Sequence, residues 1–447
     1  MKPSDKRELQ QGRAALFKER NFTWTMSGAA ISMLGDQFTL IALPWLVLKM
    51  TGDAFALGIV LALMGIPRAF LLLIGGALVD RFSPKSVMML TKYINTALLG
   101  VLALLLLQGS LQLWMVNVLA FCLGISTAFS IPSGMAMMPR VVQEAHLPAA
   151  NSMILGLRQL TMFIGPVLAG ILIALFGDTA ASAGKINDAN GLGAAFLFDC
   201  LSYAISAWTL SHVVMNPLHA SSDKAELAPT PKARPALLQS VLTGLRYCWN
   251  EPQLRTCFAY WSAIAFFIMG PIQIAIPFLA NQIGNSASTL GILAGAHGAG
   301  TLLGMLFSGM KPKLRFGNLG NTILLIDFIV GILFMPMGLV NSTWQAAAIL
   351  LSIGALGGFI HVAIFTWMQR QVPREMIGRA MSMFMFIFIG IGPISAAITG
   401  WLMRSIQLKE LFFVSGGLLL SIVLLALPLS SMRKMTDQSR ASGAREA

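Results

Sequence analysis

The sequence predicts an all-α membrane protein of twelve transmembrane helices arranged as two six-helix bundles. Three observations predict it. Of 447 residues, 56% are hydrophobic and 11% charged, whereas soluble domains carry about 25% charged residues. Mainly apolar runs near the ~20 residues that cross a bilayer recur twelve times along the chain. Lys and Arg gather in the short polar stretches between those runs. A string of soluble domains is thereby excluded. The net charge of +13 does not point to nucleic acid, because a binding surface needs basic residues clustered on one folded polar face.

Residues 1–21 form a charged leader. The first apolar run contains Asp36 and is longer than a signal peptide core, so it reads as a retained span. The first bundle covers 22–213, with spans at Phe22 to Leu48, Leu57 to Val79, Val87 to Leu107, Leu113 to Met137, Ala149 to Phe176 and Leu192 to Val213. Residues 214–253 are a polar linker, in which Ala236 to Trp249 has the spacing of a surface amphipathic helix. The second bundle covers 254–430. Its spans run from Thr256 to Ala280, Leu290 to Gly309, Thr322 to Val340, Trp344 to Met368, Ile377 to Met403 and Leu411 to Leu429. A tail, 431–447, follows.

Short cytoplasmic loops retain Lys and Arg. Placing both termini on one side puts 25 of the 31 basic residues there, Lys92 included. Lys49, Lys185, Arg404 and Lys409 fall on the other side, and Arg68 and Arg158 fall inside spans. Both termini are therefore expected in the cytoplasm.

The halves repeat one another. Met138, Arg140, Val142, Ala150, Ser152 and Met153 recur 230 residues later as Met368, Arg370, Val372, Ala380, Ser382 and Met383. Parallel repeats about an axis along the membrane normal are a standard transporter plan, in which two similar halves rock around a central site. Cys122, Cys200, Cys248 and Cys257 form no CxxC pair, so no metal site or disulfide framework is suggested. No Walker A, HExxH or GxSxG motif occurs, so neither an ATP-driven pump nor a common hydrolase has its parts. No enzyme, cofactor or metal is expected.

Gly76-Ala77-Leu78-Val79-Asp80-Arg81-Phe82-Ser83-Pro84-Lys85 is similar to the G-x-L-x-D-R-x-G-R-K loop of the major facilitator superfamily. It departs at Ser83 and Pro84, where Gly and Arg are usual. The resemblance implies a conformational latch of Gly76, Asp80, Arg81 and Lys85 with Arg140 as the partner arginine, Arg81 and Lys85 anchoring at headgroups. Gly165-Pro166-Val167-Leu168-Ala169-Gly170 resembles the G-P-x-x-G-G antiporter motif, Ala169 replacing one glycine. Asn151, Gln159 and Gly165-Pro166, with Gly35-Asp36, resemble most the bacterial macrolide-efflux and siderophore-export branch. That resemblance implies a monomeric multi-pass protein of the bacterial cytoplasmic membrane. It would export a macrolide or other amphiphilic drug-like compound by proton antiport and alternating access. A siderophore exporter or lysophospholipid flippase of the same fold is the alternative, as is a receptor-like protein that does not transport.

Asp36 shares a face of span one with Ser32 and Thr39. A mid-membrane carboxylate costs about 2.5–3.5 kcal/mol on insertion scales, and a desolvated carboxyl can exchange protons near neutral pH. Asp36 is the proton-coupling candidate, or else a structural acid bonded to a neighbouring helix. Arg158 is its candidate partner, since spans one and five are neighbours in the resembled fold; the pair is either a gate or permanent. Arg68 follows Pro67, where it can satisfy carbonyls that the proline frees. Gln159, His297 and His361 are further intramembrane polar residues, the histidines read mainly as packing. Asp199 and Asp327 rank lower because spans six and nine are peripheral in the resembled fold. Gly291, Gly295, Gly298, Gly300 and Gly304 suit close contact between spans eight and five. Gln37, Phe129, Met135, Gln273, Trp367 and Met368 are cavity candidates, because spans one, four, seven and ten line the cavity of that fold.

Overall fold

The computed structural model describes residues 16–177, 188–214, 246, 249–312, 314–372 and 377–435. Most of the linker, including the expected amphipathic helix, lies outside them. Twelve helices among the described residues are long and apolar enough to span a membrane. They are α1 (Arg20–Thr51), α2 (Ala54–Arg81), α3 (Pro84–Leu107), α4 (Leu113–Val141), α5 (Leu147–Phe176) and α6 (Ala189–Ser211). Then come α7 (Pro252–Gly284), α8 (Ala287–Met310), α9 (Leu319–Leu339), α10 (Thr343–Gln371), α11 (Ile377–Leu402) and α12 (Leu408–Leu429). Every expected span is present. Most run a few residues longer than the expected span, because backbone hydrogen bonding continues into the polar flanks, while α11 ends at Leu402, one residue short of it.

Contacts divide the chain into two compact units, Met1–Leu43 with Phe70–Pro235, and Pro44–Ala69 with Ala236–Ala447. The end of α1 and the first half of α2 thus belong by contact to the second unit, across the boundary that the linker suggests.

In the first unit, α3 packs along α6 and α4, and α5 along α6. Leu16 and Phe22 bury against Met138, Val142, Ala149 and Ala150, which fixes the start of α1 to the α4–α5 junction. His146 Nδ1 lies 3.1 Å from Glu19 Oε1 beside this cluster. Lys85 donates to the carbonyls of Ser211 (3.1 Å) and Val213 (2.7 Å), where α6 ends without internal partners. It therefore caps the end of α6.

In the second unit the most extensive pairing is α8 with α10. A side chain on Gly300 or Gly304 would strike the carbonyls of Leu351 and Ala355. One on Gly354 or Gly358 would strike those of His297 and Thr301. Gly300 and Gly304 of span eight thus serve a backbone-to-backbone crossing with α10. Small residues permit such approach because lipid offers no hydrophobic drive for helix association and close packing must supply it.

Helices α7 and α11 each contain a π turn, Ala265–Met269 and Ile387–Ile391, followed at once by Gly270-Pro271 and Gly392-Pro393. A π turn pairs each carbonyl with the N–H five residues on. For Phe266 that residue is Pro271, which has none. Ser395 of α11 donates its hydroxyl to the Phe266 carbonyl instead. Phe388 stands in the same relation to Pro393.

Candidate functional site

One face of α1 carries Ser32, Asp36 and Thr39, four and three residues apart, and this face meets α6. Gly35 makes the approach possible: a Cβ there would lie 2.1 Å from Ser202 Oγ and 2.3 Å from Asp199 Oδ1. The absent side chain therefore brings Asp199 to Asp36. Tyr203 donates its hydroxyl to Asp36 Oδ1 at 2.6 Å. Thr39 donates to Asp199 Oδ2, and Ser202 donates to Asp199 Oδ1 at 3.0 Å. From α3, the Lys92 ammonium donates to Ser32 Oγ at 3.3 Å and lies 5.5 Å from the centre of the Tyr203 ring. It interacts electrostatically with both Asp36 and Asp199. Asn95, one turn further along α3, is fully buried beside the Tyr203 hydroxyl.

Burial sorts the charged groups. Asp199 is 1% exposed and Lys92 5%, whereas Asp36 is exposed. A buried Lys92 and a buried Asp199 thus stand behind an exposed Asp36. Buried polar groups need hydrogen-bond partners: Lys92 has Ser32, and Asp199 has Thr39 and Ser202. The arrangement can take up and release a proton at Asp36 while Lys92 and Asp199 stay buried.

Two members of this cluster correct the sequence reading. Lys92, counted with the loop cations, lies about two turns inside α3. Asp199, ranked behind Asp36, shares its site. The signal was present: Lys92 falls inside the expected third span, and Asp199, Ser202, Tyr203 and Ser206 recur at helical spacing on one face of α6.

Arg158 lies on the exposed side of α5 and makes no ion pair among the described residues. Lys92 is a cation that acts on Asp36 from α3. The antiporter-like Gly165 packs on α1, where a Cβ would lie 2.5 Å from Gln37 Cβ. Gln37 is thus held under α5, and Pro166 and Gly170 are buried beside it. Phe129 and Gln159 are half-buried and Met135 is exposed. Gln273 lies against Gly392 of α11. Trp367 and Met368, offered as cavity residues, are buried at 2%. His361 sits among the rings of Phe365, Phe384 and Phe388, 6.1–6.4 Å away. Arg68 is half-buried after Pro67, and His297 half-buried in α8. Arg140 occupies the last turn of α4. The side chains of Gly76, Asp80 and Arg81 lie outside the described residues.

A second polar group, within the second unit, joins the ends of α1 and α2 that lie away from the termini to α7 and α11. Lys49 donates to Asn281 Oδ1 (2.8 Å) and Asn285 Oδ1 (2.7 Å), its ammonium 4.6 Å from the Trp45 ring centre. Arg404 donates to Asp53 Oδ2 at 2.8 Å and stacks on Phe55 at 4.3 Å. The Arg404 hydrogen bond holds the Asp53 carboxyl below its ordinary value. These five polar residues clasp one end of the unit.

The sequence model of the Major Facilitator Superfamily matches residues 25–397. This chain belongs to the Major Facilitator Superfamily. Within the superfamily, it is 26% identical over 408 residues to the multidrug efflux pump Tap of Mycolicibacterium fortuitum, covering 88% of this chain and 92% of that one. It is 24% identical over 419 residues to macrolide efflux protein A of Streptococcus pyogenes, covering 92% and 96%. Enterobactin exporter EntS of Salmonella paratyphi A matches at 24% over 409 residues, covering 90% and 91%. Among solved structures, nucleoside transporter NupG superposes with a TM-score of 0.67 at 13% identity, over 92% of this chain and 100% of that one. A D-xylose–proton symporter gives 0.64 at 12% identity, over 95% and 100%. The fold is that of superfamily transporters, and the protein is a multi-pass membrane transporter, not an enzyme.

Proposed function

We propose that the protein is a proton-driven exporter of amphiphilic, drug-like molecules in a bacterial cytoplasmic membrane, working as a monomer by alternating access with both termini in the cytoplasm. The observation that carries this reading is Asp36: a carboxyl within a membrane span, held by Tyr203 on one side and exposed on the other. An intramembrane carboxylate is costly, and those that persist commonly mark ion pathways or proton relays. One that alternates between water and a closed site takes up a proton when it leaves water. The efflux pumps among its relatives support the direction of transport and the substrate class. Because one relative exports enterobactin, a siderophore is the second substrate class, and the charge of the accepted compound separates the two.

Inverted membrane vesicles energised by respiration supply the test. Erythromycin and ethidium should accumulate inside, a protonophore should abolish the accumulation, and Asp36→Asn should do the same without lowering expression. Accumulation that survives in Asp36→Asn at the wild-type level removes the coupling role. A failure of every substrate to move protons would favour the receptor-like class.

A further inference from the structure

Where α7 begins and α12 finishes, a groove of about 540 Å³ opens between the two helices. That volume lies within the ~300–1,000 Å³ of ligand pockets. All of its lining belongs to the second unit. Away from the helix ends the lining is apolar: Ala259 on α7, and Ile422, Leu425 and Ala426 on one face of α12. The small side chains of the two alanines leave the space open. At the helix ends the lining turns polar, with Arg255, Thr256 and Ser430 beside the exposed indole of Trp249.

The hydroxyls of this rim are committed inside the protein. Ser431 donates to Thr256 Oγ1 at 2.9 Å, Thr256 donates to the Pro252 carbonyl at 2.8 Å, and Ser430 donates to the Ala426 carbonyl. Donors for a ligand therefore come from the Arg255 guanidinium, with its fork of N–H groups, and from the Trp249 indole. The surrounding charge has the same sign. Arg246 lies three residues before Trp249, and Arg433 is in the 3₁₀ turn that packs on the start of α7. The described acids nearby are Glu251, which does not line the groove, and Asp327, buried and bonded to the Tyr260 hydroxyl. Three arginines against two acids make the rim cationic.

We propose that the groove binds an anionic phospholipid, its phosphate held at the rim by Arg255 and Trp249 and one acyl chain lying along Ala259, Ile422 and Leu425. Basic pockets between membrane helices select anionic headgroups, and an indole at the headgroup level is a common interface anchor. A free phosphate would use the rim and leave the apolar wall unused. An amphiphile with a negative head uses both, and burying its chain against that wall adds to the affinity. Thr256 and Ser430, their protons committed, can still accept from a headgroup hydroxyl, which suits a glycerol head. The groove is in the second unit and Asp36 in the first, so the lipid binds whichever compound the protein exports.

Native mass spectrometry of the full chain, titrated in detergent with phosphatidylglycerol or with phosphatidylcholine of the same acyl chains, tests the site. The first phosphatidylglycerol should bind several-fold tighter than the first phosphatidylcholine. Arg255→Gln should weaken it about fivefold, the worth of one basic residue near an anionic headgroup, and leave phosphatidylcholine unchanged. Ala259→Phe fills the apolar part while keeping Arg255, and should weaken both lipids. Both positions are exposed, so the variants should keep the wild-type size-exclusion peak. Lys311→Gln removes an exposed cation at the end of α8 and should bind phosphatidylglycerol as the wild type does. Equal affinity for the two lipids, or an equal loss in Lys311→Gln, overturns the site, as does wild-type binding by either Arg255→Gln or Ala259→Phe. Inorganic phosphate alone and erythromycin alone serve as competitors. Displacement of the lipid by phosphate would make the groove a free-anion site, displacement by erythromycin a drug site, and either overturns the proposal.

Discussion

Replacing Gly304 by Ala tests how α8 and α10 are held. The added Cβ would lie 1.9 Å from the Ala355 carbonyl oxygen, and real contacts of this kind stay above 3.0 Å, so the helices must separate locally by about 1 Å. A flexible side chain could swing away from such a contact; a carbonyl inside a helix moves only with its helix. The same holds at Gly300, Gly354 and Gly358, at 2.0, 2.2 and 2.2 Å. Overpacking commonly costs about 1–3 kcal/mol, and a backbone neighbour puts Gly304→Ala at the upper end, about 3 kcal/mol. The same two helices supply the controls. Nothing lies within 4 Å of a Cβ built on Gly309 or Gly357, and Ala is the better helix former by about 1 kcal/mol. Melting in detergent, followed by the size-exclusion peak, should fall by several degrees for Gly304→Ala and Gly300→Ala. Gly309→Ala and Gly357→Ala should stay level or rise. A Gly304→Ala protein that melts with the wild type, or a Gly357→Ala protein that loses as much, refutes the crossing as described.

The clasp gives two more predictions. Asp53 and Arg404 are 35% and 53% exposed, so Asp53→Asn should cost only about 0.2–1 kcal/mol. Because the Asp53 carboxyl is held below its ordinary 3.8, its contribution is complete above about pH 4 and is lost as pH falls through the lowered value. The wild-type and Asp53→Asn melting curves should therefore differ by a constant amount from pH 5 to 8 and converge in stronger acid. Lys49→Met leaves Asn281 and Asn285 without their cation, and hydrogen exchange over residues 281–285 should quicken while the centre of α7 stays protected. In the second unit, Tyr260 donates to Asp327 at 2.8 Å, both residues being buried. Asp327→Asn keeps an acceptor for that hydroxyl and should leave melting and transport near wild type. Tyr260→Phe strands the acid and should cost about 1–3 kcal/mol.

Span number and type were legible from hydropathy alone, since a bilayer demands long apolar helices and the chain has little else. Asp36 was legible as well, because a carboxylate amid twenty apolar residues is conspicuous. Its neighbours were not, although their spacing was on the page. Lys92 sits near enough to the start of its span to resemble a loop cation, and only the burial of α3 between α4 and α6 shows otherwise. Arg158 and Asp36 looked complementary along the sequence, but Arg158 is exposed on α5 and makes no ion pair among the described residues. The glycines of α8 announced close packing without naming the partner: small-residue spacing gives one surface of a contact, and the other surface is tertiary. Nor does any local pattern declare the π turns. Gly-Pro marks a bend, but which carbonyl loses its donor depends on the turn before it.

Those π turns bear on any scanning experiment through α7 and α11. Each inserts one residue into the helical count, about 100° of rotation, so positions before Ala265 and after Met269 lie out of phase with a single 3.6-residue wheel, as do those flanking 387–391. A cysteine-accessibility profile fitted with one period across either helix would assign half of it to the wrong face. Fitted as two segments that meet at the glycine–proline step, it should return one continuous water-facing stripe whose register jumps by one residue, and deleting one residue from either turn should rejoin the segments while turning the near half of that stripe towards lipid.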